Sequence, residues 1–231
     1  MDYNQYMFIE YTIPTIGILI TALAQIFINI SYKKTSLIKT SSQKTGYETA
    51  RKILDKNGLT NIKINQVSGK LTDHYDPRNK SINLSREVYE GTSVASVSVA
   101  AHECGHAIQD KDNYFFLKIR ASLVPFVNFS SKFGYIVVIL GLIFNIIGLA
   151  KFGIGLLSLI LLFHLITLPV EINASKRAEV QLLELNIVDS SEQKKSKKML
   201  IAAALTYVAS LMTTFLQLLR LVLIVLGKDD D

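Results

Sequence analysis

Four stretches of this chain are apolar, uncharged and each close to the length that crosses a bilayer as a helix: Tyr11 to Ile30, Phe133 to Ala150, Phe152 to Val170 and Met199 to Leu219. Four buried core helices of that kind do not fit a single soluble domain of 231 residues. The sequence therefore predicts a mainly α integral membrane protein with four transmembrane helices. The first run reads as an anchor and not as a cleaved signal peptide, because Met1 to Glu10 holds no Lys or Arg.

Charge placement predicts a topology. Of the 25 basic residues, 16 lie between Lys33 and Lys132 and 6 between Glu171 and Lys198. The positive-inside rule puts both segments in the cytoplasm, with the termini and a short turn around Lys151 outside. The net charge of +6 is thus a membrane signal and gives no reason to expect nucleic acid as a partner. The segments expected are 1–32 as N-terminal anchor, 33–132 as a cytoplasmic region, 133–170 as a transmembrane hairpin, 171–198 as a second cytoplasmic segment and 199–231 as the last span. Gly134, Gly141 and Gly148 recur every seven residues, which suits close helix packing. Arg220 is expected to snorkel outward.

The cytoplasmic region carries the chemistry. Ala101-His102-Glu103-Cys104-Gly105-His106-Ala107-Ile108-Gln109 places two histidines four apart, on one face of a helix, where both rings can close on one metal ion. Glu103, next to the first histidine, can reach a water in the open position, take its proton as it attacks a carbonyl, and return that proton to the leaving amine. Thr92-Ser93 offers an N-cap, and Val94, Val97, Val99, Ala100 and Ala101 form an apolar lead-in that would bury the helix. Buried polar groups need partners, and metal is the simplest one. Cys104, the single cysteine, lies ~200° around the helix from His102 and reads as a packing residue.

A catalytic zinc wants three protein ligands. In Leu168-Pro169-Val170-Glu171-Ile172-Asn173-Ala174-Ser175-Lys176-Arg177-Ala178, Glu171 sits where the third span emerges on the side assigned to the histidines. Glu179 and Glu184 are alternatives that read more simply as a solvated face. Ahead of the HExxH helix, Tyr47 to Lys56 predicts a short helix stopped by Asn57-Gly58, and runs near Ile62 to Val67, Leu71 to Tyr75 and Ser81 to Leu84 predict a small antiparallel β-sheet. Such a sheet offers an edge for an extended peptide or a surface that only packs on the helix. His74 and Tyr207 are candidate donors to a developing oxyanion; as structural residues they would be a turn histidine and an aromatic-belt tyrosine. Glu192 to Lys198 reads as a basic loop at the headgroups.

Asp73-His74-Tyr75-Asp76-Pro77, Leu84-Ser85, Ala101 to Gln109, Leu168 to Ala178 and Leu205-Thr206-Tyr207-Val208-Ala209, in that order, resemble the YugP-type family of bacterial membrane zinc metallopeptidases. The resemblance covers about residues 45–215. It implies a gluzincin-like (zincin-type) helical core, with His102, His106 and Glu171 holding Zn2+ and Glu103 as general base. The layout is also similar to HtpX-type peptidases, whose third-ligand Glu is followed four residues later by Asp; here that position is Ser175. The expected function is a multi-pass cell-membrane zinc endopeptidase acting on peptide or membrane-protein substrates at the cytoplasmic face. The alternative is a zinc-stabilised membrane scaffold without turnover.

Overall fold

The computed structural model describes residues 7–229. A π-helical turn, Phe8–Thr12, leads into α1 (Ile13–Ser36), followed by α2 (Gly46–Lys56), three strands β1 (Lys63–Val67), β2 (His74–Asp76) and β3 (Ser81–Ser85), and the short α3 (Arg86–Tyr89). Then come α4 (Val94–Lys111), α5 (Phe115–Ile143), α6 (Ile147–Glu184) and α7 (Ser190–Asp229). The protein is mainly helical, and among the described residues four helices are long and apolar enough to cross a membrane: Phe8–Ser36, Phe115–Ile143, Ile147–Glu184 and Ser190–Lys228. α1 with its π-helical lead-in, α6 and α7 each extend beyond the apolar run that predicts them, whereas α5 starts well before its run, at Phe115, and ends at Ile143, short of Ala150.

Two caps correct the sequence reading. The turn between the second and third long helices falls at Phe144-Asn145-Ile146, not around Lys151. Asn145 takes the left-handed conformation (φ 57°) and the Ile146 N–H reaches back to the Gly141 carbonyl at 2.8 Å, the closure that ends helices in this way. Glu192 to Lys198 is helical, not a loop. Asp189 Oδ1 accepts from the N–H groups of Ser191 and Glu192, and Glu192 Oε2 accepts from the Asp189 N–H. That reciprocal capping box launches α7 directly into the basic stretch.

The chain divides into two compact groups. The first comprises the described parts of Met1–Gln25, Ile119–Leu168 and Leu205–Asp231. Here α5 and α6 approach through glycines: a Cβ on Gly134 would lie 2.6 Å from Leu157 Cδ2, and one on Gly141 would strike the backbone of Ala150. Gly148 faces open space; Gly153, against Val138, is the third contact glycine. The heptad pattern failed there because the turn at Asn145 moves Gly148 onto the next helix. Arg220 does not snorkel but pairs with Glu10, and Thr21 and Thr213 share a hydrogen bond of 2.9 Å.

The second group, Ile26–Lys118 with Pro169–Ala204, holds the larger core, in which Ile53, Leu54, Ile82, Leu84, Val97, Ala101 and Cys104 are inaccessible to solvent. Thr45 and Glu48 form a capping box at α2, and Gly58 ends it at φ 70°. The sheet order is β1-β3-β2, with β3 antiparallel to β2 as expected but parallel to β1. The sheet is therefore mixed rather than wholly antiparallel. β3 carries the buried Ile82 and Leu84, and it takes the centre, where both backbone edges are paired; the more exposed β1 and β2 take the edges.

Candidate metal centre

The centre is built by α4 and α6. Ser93 caps α4 by accepting from the Ser96 N–H, and Val94, Val97, Ala100 and Ala101 bury its first turns completely. Gly105, between the two histidines, lets α6 come close: a Cβ there would lie 2.5 Å from the Ala174 carbonyl oxygen. That approach delivers Glu171, three residues before Ala174, to the histidine face.

Glu171 is buried, at 2% exposure. Its Oε2 lies 3.2 Å from His102 Nε2 and 3.4 Å from His106 Nε2. The three donor atoms of His102, His106 and Glu171 all lie within 4.8 Å of one another. Ion-paired N–H···O contacts are normally about 2.7–2.9 Å, whereas ligands at about 2.0–2.1 Å from a tetrahedral zinc stand roughly 3.3 Å apart. The two contacts of Glu171 are near that separation, and the donors, two imidazoles and a carboxylate, suit zinc. Burial alone would lower the pKa of His106, but the Glu171 carboxylate against it raises the value above that of a free imidazole.

A family model described as "Putative neutral zinc metallopeptidase" matches residues 10–226. The chain belongs to that family. It is also 41% identical over 226 residues to "Putative membrane protease YugP" of Bacillus subtilis (strain 168), a match that covers 97% of this chain and 100% of the relative. No solved structure matches the chain.

Around the three donors, each histidine has a partner on its far nitrogen. His102 Nδ1 meets Ser175 Oγ at 3.1 Å, and His106 Nδ1 meets Gln109 Oε1 at 3.0 Å. Glu103 is 8% exposed and accepts the backbone N–H of Tyr75 on Oε2 at 2.9 Å. β2 is in turn fastened to α4 by the Tyr75 hydroxyl, which donates to Asp110 Oδ2 at 2.6 Å, while Lys80 pairs with the same carboxylate. Burial and then the bond to Asp110 push the Tyr75 phenol well above its ordinary pKa. For Asp110 burial works upward, but the bonds from Lys80 and Tyr75 outweigh it and hold the pKa low.

His74 is not brought to this group. Strand alternation turns Tyr75 toward α4 and His74 to the exposed face of the sheet, where Nδ1 meets the Thr72 carbonyl and Nε2 meets Asn83 Nδ2. Glu179 and Glu184 pair with Lys197 and Lys56. Tyr207 lies on α7, half-buried, in the first of the two groups. Cys104 is fully buried with its thiol toward the Ala50 carbonyl, as its position opposite His102 predicts. Gln109 and Gly105 carried no role in the sequence reading, and Ser175 entered it only as the departure from the Asp of HtpX-type peptidases. Gln109 was signalled only by its place one turn after His106.

Proposed function

We propose that this protein is a membrane zinc endopeptidase that cuts peptide bonds in membrane or membrane-proximal proteins. The observation that carries the reading is the three-donor group with a separate, buried carboxylate beside it, an arrangement a purely structural site does not need. His102, His106 and Glu171 would hold the ion, which supplies Lewis acidity and a lowered pKa for bound water.

Glu103 would serve as general base and then general acid. One of its oxygens is held by the Tyr75 N–H, which leaves the other to take a proton from the attacking water and pass it to the leaving amine. β2, an edge strand beside Glu103, is the proposed rail for an extended substrate. The charge asymmetry supports an active site at the cytoplasmic face, with His102, Glu103, His106 and Glu171 on that side.

The test is metal content and peptide turnover of the full chain in detergent. The expected result is about one zinc ion per chain, retained in Glu103→Gln without turnover and lost in Glu171→Ala. Full function in Glu103→Gln assigns the protein instead to the zinc-stabilised scaffold class.

A further inference from the structure

We propose that Gln109 is a positioning residue that selects the metal-binding nitrogen of His106 and, with the same amide, seats the turn of α6 that carries Glu171. The proposal rests on the zinc reading above and adds a residue that the HExxH pattern does not contain.

Gln109 is completely buried. Its Oε1 faces His106 Nδ1 at 3.0 Å; its Nε2 donates to the Val170 carbonyl at 2.8 Å and to Asn173 Oδ1 at 2.9 Å. The orientation of this amide follows from its neighbours. The Val170 carbonyl can only accept. Asn173 presents oxygen and not nitrogen, because Arg177 Nε, which can only donate, points at it from 2.9 Å. Two fixed acceptors on α6 therefore claim the NH2 group of Gln109, and its oxygen must face His106. An acceptor at that point requires the proton of the neutral imidazole to sit on Nδ1. The lone pair is then left on Nε2, the nitrogen that faces Glu171.

The network begins and ends at α4. Arg177 is anchored by Asp112, just past the helix, at 2.6 Å. The connection thus runs from His106 through Gln109 and Asn173 to Arg177 and back to Asp112. Val170 precedes Glu171 in the chain, so one buried side chain sets both a histidine ring and the backbone beside the carboxylate ligand. A residue that only filled space would not need an amide there, since each of its polar atoms costs free energy if left unpaired.

The experiment is zinc affinity of the full-length protein in detergent, by competition with a chromophoric chelator, for wild type and Gln109→Met. Methionine keeps nearly the same volume, Val170 stays within its helix and Asn173 keeps Arg177. Gln109→Met is expected to bind zinc about 10–100-fold more weakly, with only a small fall in the thermal midpoint of the metal-free protein, from the His106 Nδ1–H left unpaired. Unaltered zinc affinity, or a loss that merely tracks a lower midpoint, overturns the proposal. A second measurement needs no variant: nitrogen NMR of the zinc-loaded, 15N-histidine wild type should show His106 protonated on Nδ1 and bound through Nε2. Binding through Nδ1 overturns the proposal even if Gln109→Met fails to fold. A wild type that takes up no zinc overturns the metal reading itself, and this proposal with it.

Discussion

Gly105 touches the backbone of Ala174 so closely that a single added methyl would stand 2.5 Å from the Ala174 carbonyl oxygen. The contact lies between two helices, so neither side can give without moving the donor residues they carry. Gly105→Ala should destabilise the fold by about 1–3 kcal/mol through overpacking and weaken zinc binding as Glu171 moves off the histidines. Thermal unfolding and chelator competition measure the two effects separately. Wild-type zinc affinity in this variant would show that the helix separation does not control the site.

Ser175 stands where a carboxylate would give His102 a stronger partner. Its hydroxyl is 3.1 Å from Nδ1, and a neutral group there raises the donor strength of the ring less than an anion does. Ser175→Asp should therefore bind zinc more tightly than wild type, and Ser175→Ala more weakly. The order Asp, Ser, Ala in a competition assay is the expected outcome. Tighter binding by the alanine variant would remove Ser175 from any role at the centre.

How much of this was legible in the sequence depends on range. The long helices and the i, i+4 histidine pair are local patterns, set by hydrophobic length and helical pitch. Glu171 was reachable because two histidines leave a ligand vacancy and a carboxylate stood at the end of an apolar run. Gly105 was not, because its reason lies 69 positions further on, at Ala174. The placement of His74 was hidden for a related cause. Asp73-His74-Tyr75-Asp76 gives no apolar alternation to say which face is inside, and the packing of Tyr75 on α4 decided it. The parallel pairing of β1 with β3 is likewise a long-range choice, made by the burial of Ile82 and Leu84. The capping box at Asp189 and Glu192 is local and was available; the run of lysines after it masked the helix start.

Cys104 is inaccessible, held in the core with Ile53, Leu54 and Ala101, and burial pushes its thiol well above the ordinary cysteine range. A thiol reagent should therefore leave the native protein unmodified and label it fully in denaturant. Labelling of the folded protein at the rate of a free thiol would mean that the α4 core opens.

Asp110 couples the fold to pH through β2. The bonds from Lys80 and Tyr75 hold its folded pKa below the usual carboxylate value of about 3.9. A carboxyl depressed by folding contributes stability that is fully present above the unfolded pKa and disappears as pH falls through the folded one. Asp110→Asn keeps the shape and removes the charge, so it should cost about 1 kcal/mol at neutral pH. That deficit relative to wild type should shrink as the pH drops below about 4. Because Tyr75 also supplies the N–H that holds Glu103, the same variant should lose turnover at neutral pH while keeping its zinc. Unfolding midpoints of the two proteins across the acid range, with metal content at neutral pH, check both parts; a deficit that stays constant into strong acid would remove Asp110 ionisation as its source.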